Sequence, residues 1–338
     1  MREVVPRLID QGHTVRGVDN FARYGREAPP AGMEFLEGDL TDLATVRAAL
    51  DGMDGVIQAA AQIYGVAGFH RVPADILQRD TLLHGLMLRE SLDRGITRLV
   101  YISSSMVYER QPEIAREDEV ADMRVPLTDY GLSKLMGERL SQAFAAQYGL
   151  PYTIWRPFNI IGLHESAAGY DAGVCHVFAD FIQRIVHEKQ NPMLVLGTGE
   201  QVRCFTWIGD VADAIARYSF DPLTENADFN LGNPEPVTMT ELAHRIYHLY
   251  HDLTGQPVEK PLRFTHMPTY KDDVQRRVPA IDKARQVLGW EPRVKLDEML
   301  RRCLTHELET VGAGRLPFPP EGEELGERGP KGASEAHA

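Results

Sequence analysis

Cysteine is scarce. The 338 residues hold three, Cys175, Cys204 and Cys303, with no CxxC pair. That excludes a disulfide framework and a thiolate zinc site, and suits a reducing, cytoplasmic setting. Long apolar runs are missing as well, and the mean hydropathy is −0.29, so no membrane span is expected. The opening MREVVPRLIDQGH has neither an apolar stretch nor a small-residue cleavage site, so no signal peptide is read. Basic residues are outnumbered, 36 Lys and Arg against 49 Asp and Glu, for a net charge of −13. A general nucleic-acid binder would show a basic face, and none is predicted. Internal repeats are lacking. What remains is ordinary globular composition, 43% hydrophobic and 25% charged, long enough for one large α/β domain or two.

Apolar spacing gives the organisation. Val4, Val5, Leu8 and Ile9 fall at helical intervals, with Gly12 as the stop. Strands are expected at 13–19, 33–37, 55–61, 99–103 and 152–156. Helices are expected at Thr41–Leu50, with Thr41 as N-cap, at Leu77–Gly95 and at Thr128–Tyr148. Strands alternating with helices at these lengths predict an α/β fold, a doubly wound parallel sheet with helices on both faces. Residues 1–160 form that domain. Residues 161–310 read as a smaller mixed α/β part interleaved with it: a Gly/Ala loop, a helix at Val174–Lys189, a strand at Met193–Leu196, and helices at 211–219, 240–253 and 283–288. Residues 311–338 are rich in Gly, Pro and Glu, too polar to offset ordering entropy, and are expected to be a disordered tail.

Tyr130 and Lys134 carry the sharpest chemical signal. At i and i+4 they share one face of a helix. A phenol near pKa 10 is a poor base at neutral pH, and a nearby cation favours its phenolate. The pair suits taking a proton from an alcohol and returning it. Upstream, the apolar strand 99–102 ends in Ser103, Ser104 and Ser105, at the carboxyl end where parallel sheets bind ligands. A hydroxyl there can bond the same substrate oxygen.

The order of these features resembles the extended short-chain dehydrogenase/reductase family, specifically its nucleotide-sugar epimerases and dehydratases, over roughly residues 1–305. Further marks are Asp19 ending a strand, Gly38-Asp39-Leu40, Ala59-Ala60-Ala61, Arg156-Pro157-Phe158-Asn159, Gly197-Thr198-Gly199 with Arg203, and Leu288-Gly289-Trp290-Glu291-Pro292. The resemblance implies a Rossmann-type sheet with NAD as cofactor. It implies Tyr130 as acid/base, Lys134 as its partner and a ligand of the nicotinamide ribose, and Ser104 as the group orienting the substrate hydroxyl. Asp19 and Asn20 would bind the adenosine ribose, Asp39 and Leu40 the adenine, and Ala59, Ala60 and Ala61 would wall the cofactor cleft. Ser105, Asn159 and Arg203 would hold a GDP- or UDP-linked sugar. A homodimer through the long helices is implied as well.

The sequence also departs from that pattern. The family opens with a strand and a glycine-rich turn that cradles the cofactor diphosphate; here Met1 falls in or just after that turn. A missing central strand would leave two strand edges facing each other and forgo burial worth on the order of 10 kcal/mol. The expectation is therefore a true start upstream of Met1, or a truncated piece. Dehydratases carry Asp-Glu where this chain has Ser105 and Met106. Residues 76–109 are locally similar to GDP-mannose 3,5-epimerase, yet Met106 stands at that enzyme's cysteine, with Cys175 or His176 as substitutes. The family's nucleotide-clasping Arg-Pro-Gly-Asp reads Tyr270-Lys271-Asp272-Asp273, leaving Arg276 or Arg277 for phosphate or base contacts. His244, His248 and His251 share one helix face and read as solvated; no metal is expected.

The resulting expectation is an NAD-dependent epimerase acting through a transient keto-sugar, most simply at C4. A 3,5-epimerase-like or dehydratase-like enzyme is one alternative. A non-catalytic relative that has lost NAD binding is the other.

Overall fold

Val4, Val5 and Leu8 form one apolar stripe, and all three are buried on helix α1 (Val4–Asp10). The computed structural model describes every residue except 23, 24, 27, 64, 111, 112, 164, 166, 168–172, 271, 272 and 313–338. Gly12, at φ +89°, follows the end of α1, as its place in the sequence predicts. The chain then enters β1 (Arg16–Asp19), which pairs in parallel with β2 (Glu34–Glu37). A second sheet, parallel throughout, has the order β11 (Ala227–Leu231), β6 (Tyr152–Pro157), β4 (Arg98–Ile102), β3 (Gly55–Gln58). Among the described residues no strand joins β1 to β3. The sheet is therefore in two pieces.

Period-two alternation sends side chains to both faces of the larger sheet. Val56, Leu99, Tyr101 and Ile154 pack under α2 (Leu43–Leu50), α4 (Pro73–Asp93) and α5 (Asp129–Tyr148). Val100, Trp155, Phe229 and Leu231 pack on the other side against α1 and α7 (Ile208–Tyr218). Because α7 and β11 come from the second half of the chain, the two parts interleave.

The smaller part has its own core, including Phe181, Met193, Leu242, Ile246, Met299 and Leu304. It is built from α6 (Val177–Ile182), α8 (Met239–Thr254) and α9 (Leu296–Gly312). Its strands pair as β8 (Met193–Leu196) with β13 (Phe264–Met267), and β9 (Val202–Cys204) antiparallel to β12 (Pro236–Thr238). Short pairs link the parts: β5 (Ile114–Ala115) with β14 (Val278–Pro279), and β7 (Ile160–Ile161) with β10 (Thr206–Trp207). Helix α3 (Val66–Arg71) precedes α4.

Several boundaries differ from the sequence expectation. Asp42, not Thr41, caps α2, its Oδ2 accepting from the Thr45 amide at 3.0 Å. Helix α4 starts at Pro73, before Leu77, because proline is tolerated in a helix's first turn. Thr128 does cap α5, accepting from the Gly131 amide at 3.0 Å. The helix expected over 174–189 is α6 followed by a wider π-type turn to His187. Helix α9 runs two residues into the expected tail; the rest of that tail, 313–338, lies outside the described residues.

Candidate active site

The end of β4 and the head of α5 meet beneath one cleft. Lys134 is buried at 3% exposure, and its Nζ donates to the Ile102 carbonyl at 3.1 Å. The ammonium lies 5.8 Å from the Tyr130 ring centroid and 5.3 Å from that of Tyr101. Burial pushes its pKa down; Asp80 and Glu138 work against that. Asp80, on α4, accepts from the Gln62 amide and the Ser133 hydroxyl, both at 3.1 Å. Burial pushes the Asp80 carboxyl up, and the Lys134 charge opposes the shift. Tyr130 is buried and stacks on Phe69, rings 4.5 Å apart and 7° from parallel. Ser104 caps the turn 105–108, its Oγ accepting from the Met106 amide at 3.1 Å. An accepting hydroxyl still has its own proton to donate.

Across the cleft lies β1. Asp19 is exposed at its end and accepts from the Phe21 amide at 2.8 Å; Asn20 accepts from the Ala22 amide at 3.1 Å. Asp39 follows β2 and accepts from the Thr41 amide at 2.8 Å and from Arg79 at 2.5 Å. Burial works to raise the Asp39 carboxyl, but the bonds from Thr41 and Arg79 hold it below the usual range. Leu40 is buried, and Ala59, Ala60 and Ala61 follow β3.

A third group comes from the smaller part. Arg203, on β9, pairs with Asp273 at 3.1 Å, and Arg277 donates to Ser105 Oγ at 3.3 Å. Asn159, at φ +34°, donates to the Cys204 carbonyl at 3.0 Å.

Tyr130, Lys134, Ser104, Asp80, Asp19, Asp39, Arg203 and Arg277 all line one cavity of about 1680 Å³. Of the residues read as site residues from sequence, Arg276 alone is outside it: its side chain is exposed, and its backbone pairs with Val202. Cys175 and His176 also line the cavity, in the segment before α6. Asp80 and Phe69 are lining residues that sequence reasoning missed. The available signal for Asp80 was an acid at a core position of α4, between Ile76 and Leu83. Lys271 and Asp272 lie outside the described residues.

The model of the NAD dependent epimerase/dehydratase family matches residues 2–232. The chain belongs to this family. It is thus an NAD-dependent enzyme of the nucleotide-sugar epimerase and dehydratase group. UDP-glucuronate 4-epimerase from Thermodesulfobacterium geofontis is 26% identical to it, covering 90% of this chain and 91% of that protein. UDP-glucose 4-epimerase from Corynebacterium glutamicum is 25% identical, covering 84% and 85%. Among solved structures, Thermus thermophilus UDP-glucose 4-epimerase in complex with NAD superposes with a TM-score of 0.76, at 25% identity, over 90% of this chain and 94% of that one.

At its adenosine and nicotinamide ends the cleft of this family member offers groups that fit NAD in donor and acceptor chemistry. The exposed Asp19 carboxylate stands at the β1 end, where hydroxyl donors would need an acceptor, and Asp39 stands after β2. Alanine side chains leave room beside β3. Lys134 has three donors and spends one on the Ile102 carbonyl. Among the described residues no helix is long and apolar enough to cross a membrane.

Proposed function

We propose that the chain is a nucleotide-sugar 4-epimerase working through a transient keto-sugar. One observation carries this reading: Tyr130, Lys134 and Ser104 line the same cleft as Asp19 and Asp39. Ser104 donates to the sugar hydroxyl and fixes its oxygen. Tyr130 takes the hydroxyl proton and later returns it. Lys134, held by the Ile102 carbonyl, keeps positive charge beside the phenol and favours its phenolate. NAD, when bound, supplies the hydride acceptor and donor for the sugar carbon. Asp19 and Asn20 would hold its adenosine ribose, Asp39 and Leu40 its adenine, and Lys134 its nicotinamide ribose. Ala59, Ala60 and Ala61 would wall the cofactor cleft. Arg203, partly neutralised by Asp273, and Asn159 would hold the nucleotide sugar.

Met106 packs with Phe69 and Tyr130 and has no proton to exchange, which counts against inversion beside the ketone. Leu132, Leu135, Met136 and Leu140 form a shallow apolar groove on α5, and this supports a homodimer through that helix.

Tyr130→Phe tests the assignment. Turnover is expected to fall by about 10²–10⁴-fold with unchanged thermal stability and unchanged NAD content on denaturation. Unaltered turnover would remove Tyr130 as the acid/base.

A further inference from the structure

Arg277 carries a buried charge that forms no ion pair among the described residues. It sits just before β14, is 9% exposed and lines the cleft. Among the described residues its side chain makes one hydrogen bond, from Nη1 to Ser105 Oγ, and its buried Nε has no partner. No carboxylate among the described residues pairs with it. Glu109 and Asp273 act on its charge, but both are engaged elsewhere. Glu109 accepts from the Leu127 and Thr128 amides at 2.6 and 2.8 Å, and from the Thr128 hydroxyl. Asp273 pairs with Arg203 and accepts from Gln201 and Thr269. Burial pushes the Arg277 pKa down to about 9, and the Arg203 charge adds to the shift. The group is still a cation at neutral pH. A buried cation without a counter-ion is costly unless an anion arrives to meet it.

Position identifies the anion. Ser105 is the residue after Ser104, and the Arg277 charge is felt by the Tyr130 phenol. Arg277 thus lines the cleft together with Ser104 and Tyr130, held to the residue that follows Ser104. In a sugar oxidised at C4, the diphosphate hangs from C1, across the ring. The group next to the reacting carbon is C6, carried on C5. An anion at that place is a C6 carboxylate.

We propose that Arg277, steadied by Ser105, binds the C6 carboxylate of a nucleotide-linked hexuronic acid, so that the substrate class is the nucleotide uronates and not the neutral hexoses. This rests on the C4 reading above. Likeness to relatives does not choose between the two classes, because a glucose and a glucuronate 4-epimerase are 25% and 26% identical to this chain. The geometry of Arg277 does.

The test is calorimetric binding to the full chain with NAD present, using glucuronate and glucose each linked to UDP and to GDP, and the free diphosphates. Wild-type protein is expected to bind the matching uronate about 10–100-fold more tightly than its hexose. Arg277→Gln should abolish that preference while leaving hexose affinity within about threefold, and Arg277→Lys should retain part of it. Equal wild-type affinity for uronate and hexose overturns the proposal without recourse to any variant. So does an Arg277→Gln loss shared equally by uronate, hexose and free diphosphate, which would make Arg277 a phosphate ligand. A binding preference for uronate with no C4 epimer formed keeps the carboxylate site and removes the 4-epimerase reading. Binding of none of the four sugars overturns both.

Discussion

The β3-β4-β6-β11 sheet and the β1-β2 pair follow the same parallel pairing but are held very differently. In the larger sheet, Leu99, Val100, Ile154 and Trp155 have no exposed surface, because helices cover both faces. In the pair, Glu34, Glu37 and Asp19 are exposed and no residue of either strand is fully buried. The groups proposed for proton transfer belong to the first region, and the groups proposed for the adenosine end of NAD belong to the second. Proton transfer fails if its groups shift by an ångström, whereas ribose and adenine contacts need only acceptors in reach. The well-buried region also carries an ionic bolt. Arg156 donates to Glu138 at 2.7 and 2.8 Å, and pairs with Asp228 at 2.5 Å. Ser103 donates to the same Glu138 at 2.5 Å. These bonds tie α5, with its Tyr130 and Lys134, to β4, β6 and β11.

Removing one partner of that bolt is the strongest way to break the contrast. Glu138→Ala leaves Arg156 buried and half-paired, and should cost about 3–5 kcal/mol in urea unfolding. A loss under about 1 kcal/mol would mean the two regions are equally tolerant.

Acid sharpens the comparison more gently. His84, on α4, bonds the Gly137 carbonyl at 2.9 Å and the Ser141 hydroxyl at 3.1 Å. Burial pushes its pKa down to about 3, so it is neutral in the fold, while the unfolded chain titrates near 6.5. The unfolded state thus binds a proton first as pH falls. The stability that His84 contributes is full above pH ~6.5 and is progressively lost down to about 3, on the order of 2 kcal/mol by pH 5. Hydrogen exchange at pH 5 should show protection lost at the α4–α5 contact, and His84→Gln should flatten the pH dependence of stability. An unchanged slope in that variant would assign the acid sensitivity to another group.

The smallest effect is expected in the pair. Glu37 and Arg26 form an ion pair at 2.5 Å with both side chains largely exposed. Glu37→Ala should change stability by less than about 0.5 kcal/mol. A cost approaching that of Glu138→Ala would erase the difference between the regions.

Much of this was legible from the chain. Helix α5, its Thr128 cap and the Tyr130/Lys134 face follow from local spacing, since i and i+4 are neighbours on any helix. The strands that end in Asp19 and in the serines were read from alternation and short apolar runs. Arg276 and Arg277 were not separable in this way. Adjacent residues on an extended segment point to opposite sides, and only the packing of β14 beside β5 decides which side is the cleft. Asp80 was missed for a related reason. An acid inside a helix reads as solvated until the neighbouring helix is known.

The sequence by itself determined the alternation of elements, the family and the shared helix face of Tyr130 and Lys134, the pair proposed for proton transfer, because each is written in short-range periodicity and motif spacing. Only the tertiary structure decided that the sheet lies in two pieces, that Asp80 stands within reach of Lys134, and that Arg277 meets Ser105 across 172 residues of chain. Whether a buried charge is paired depends on every element packed around it, and no local stretch of sequence contains that information.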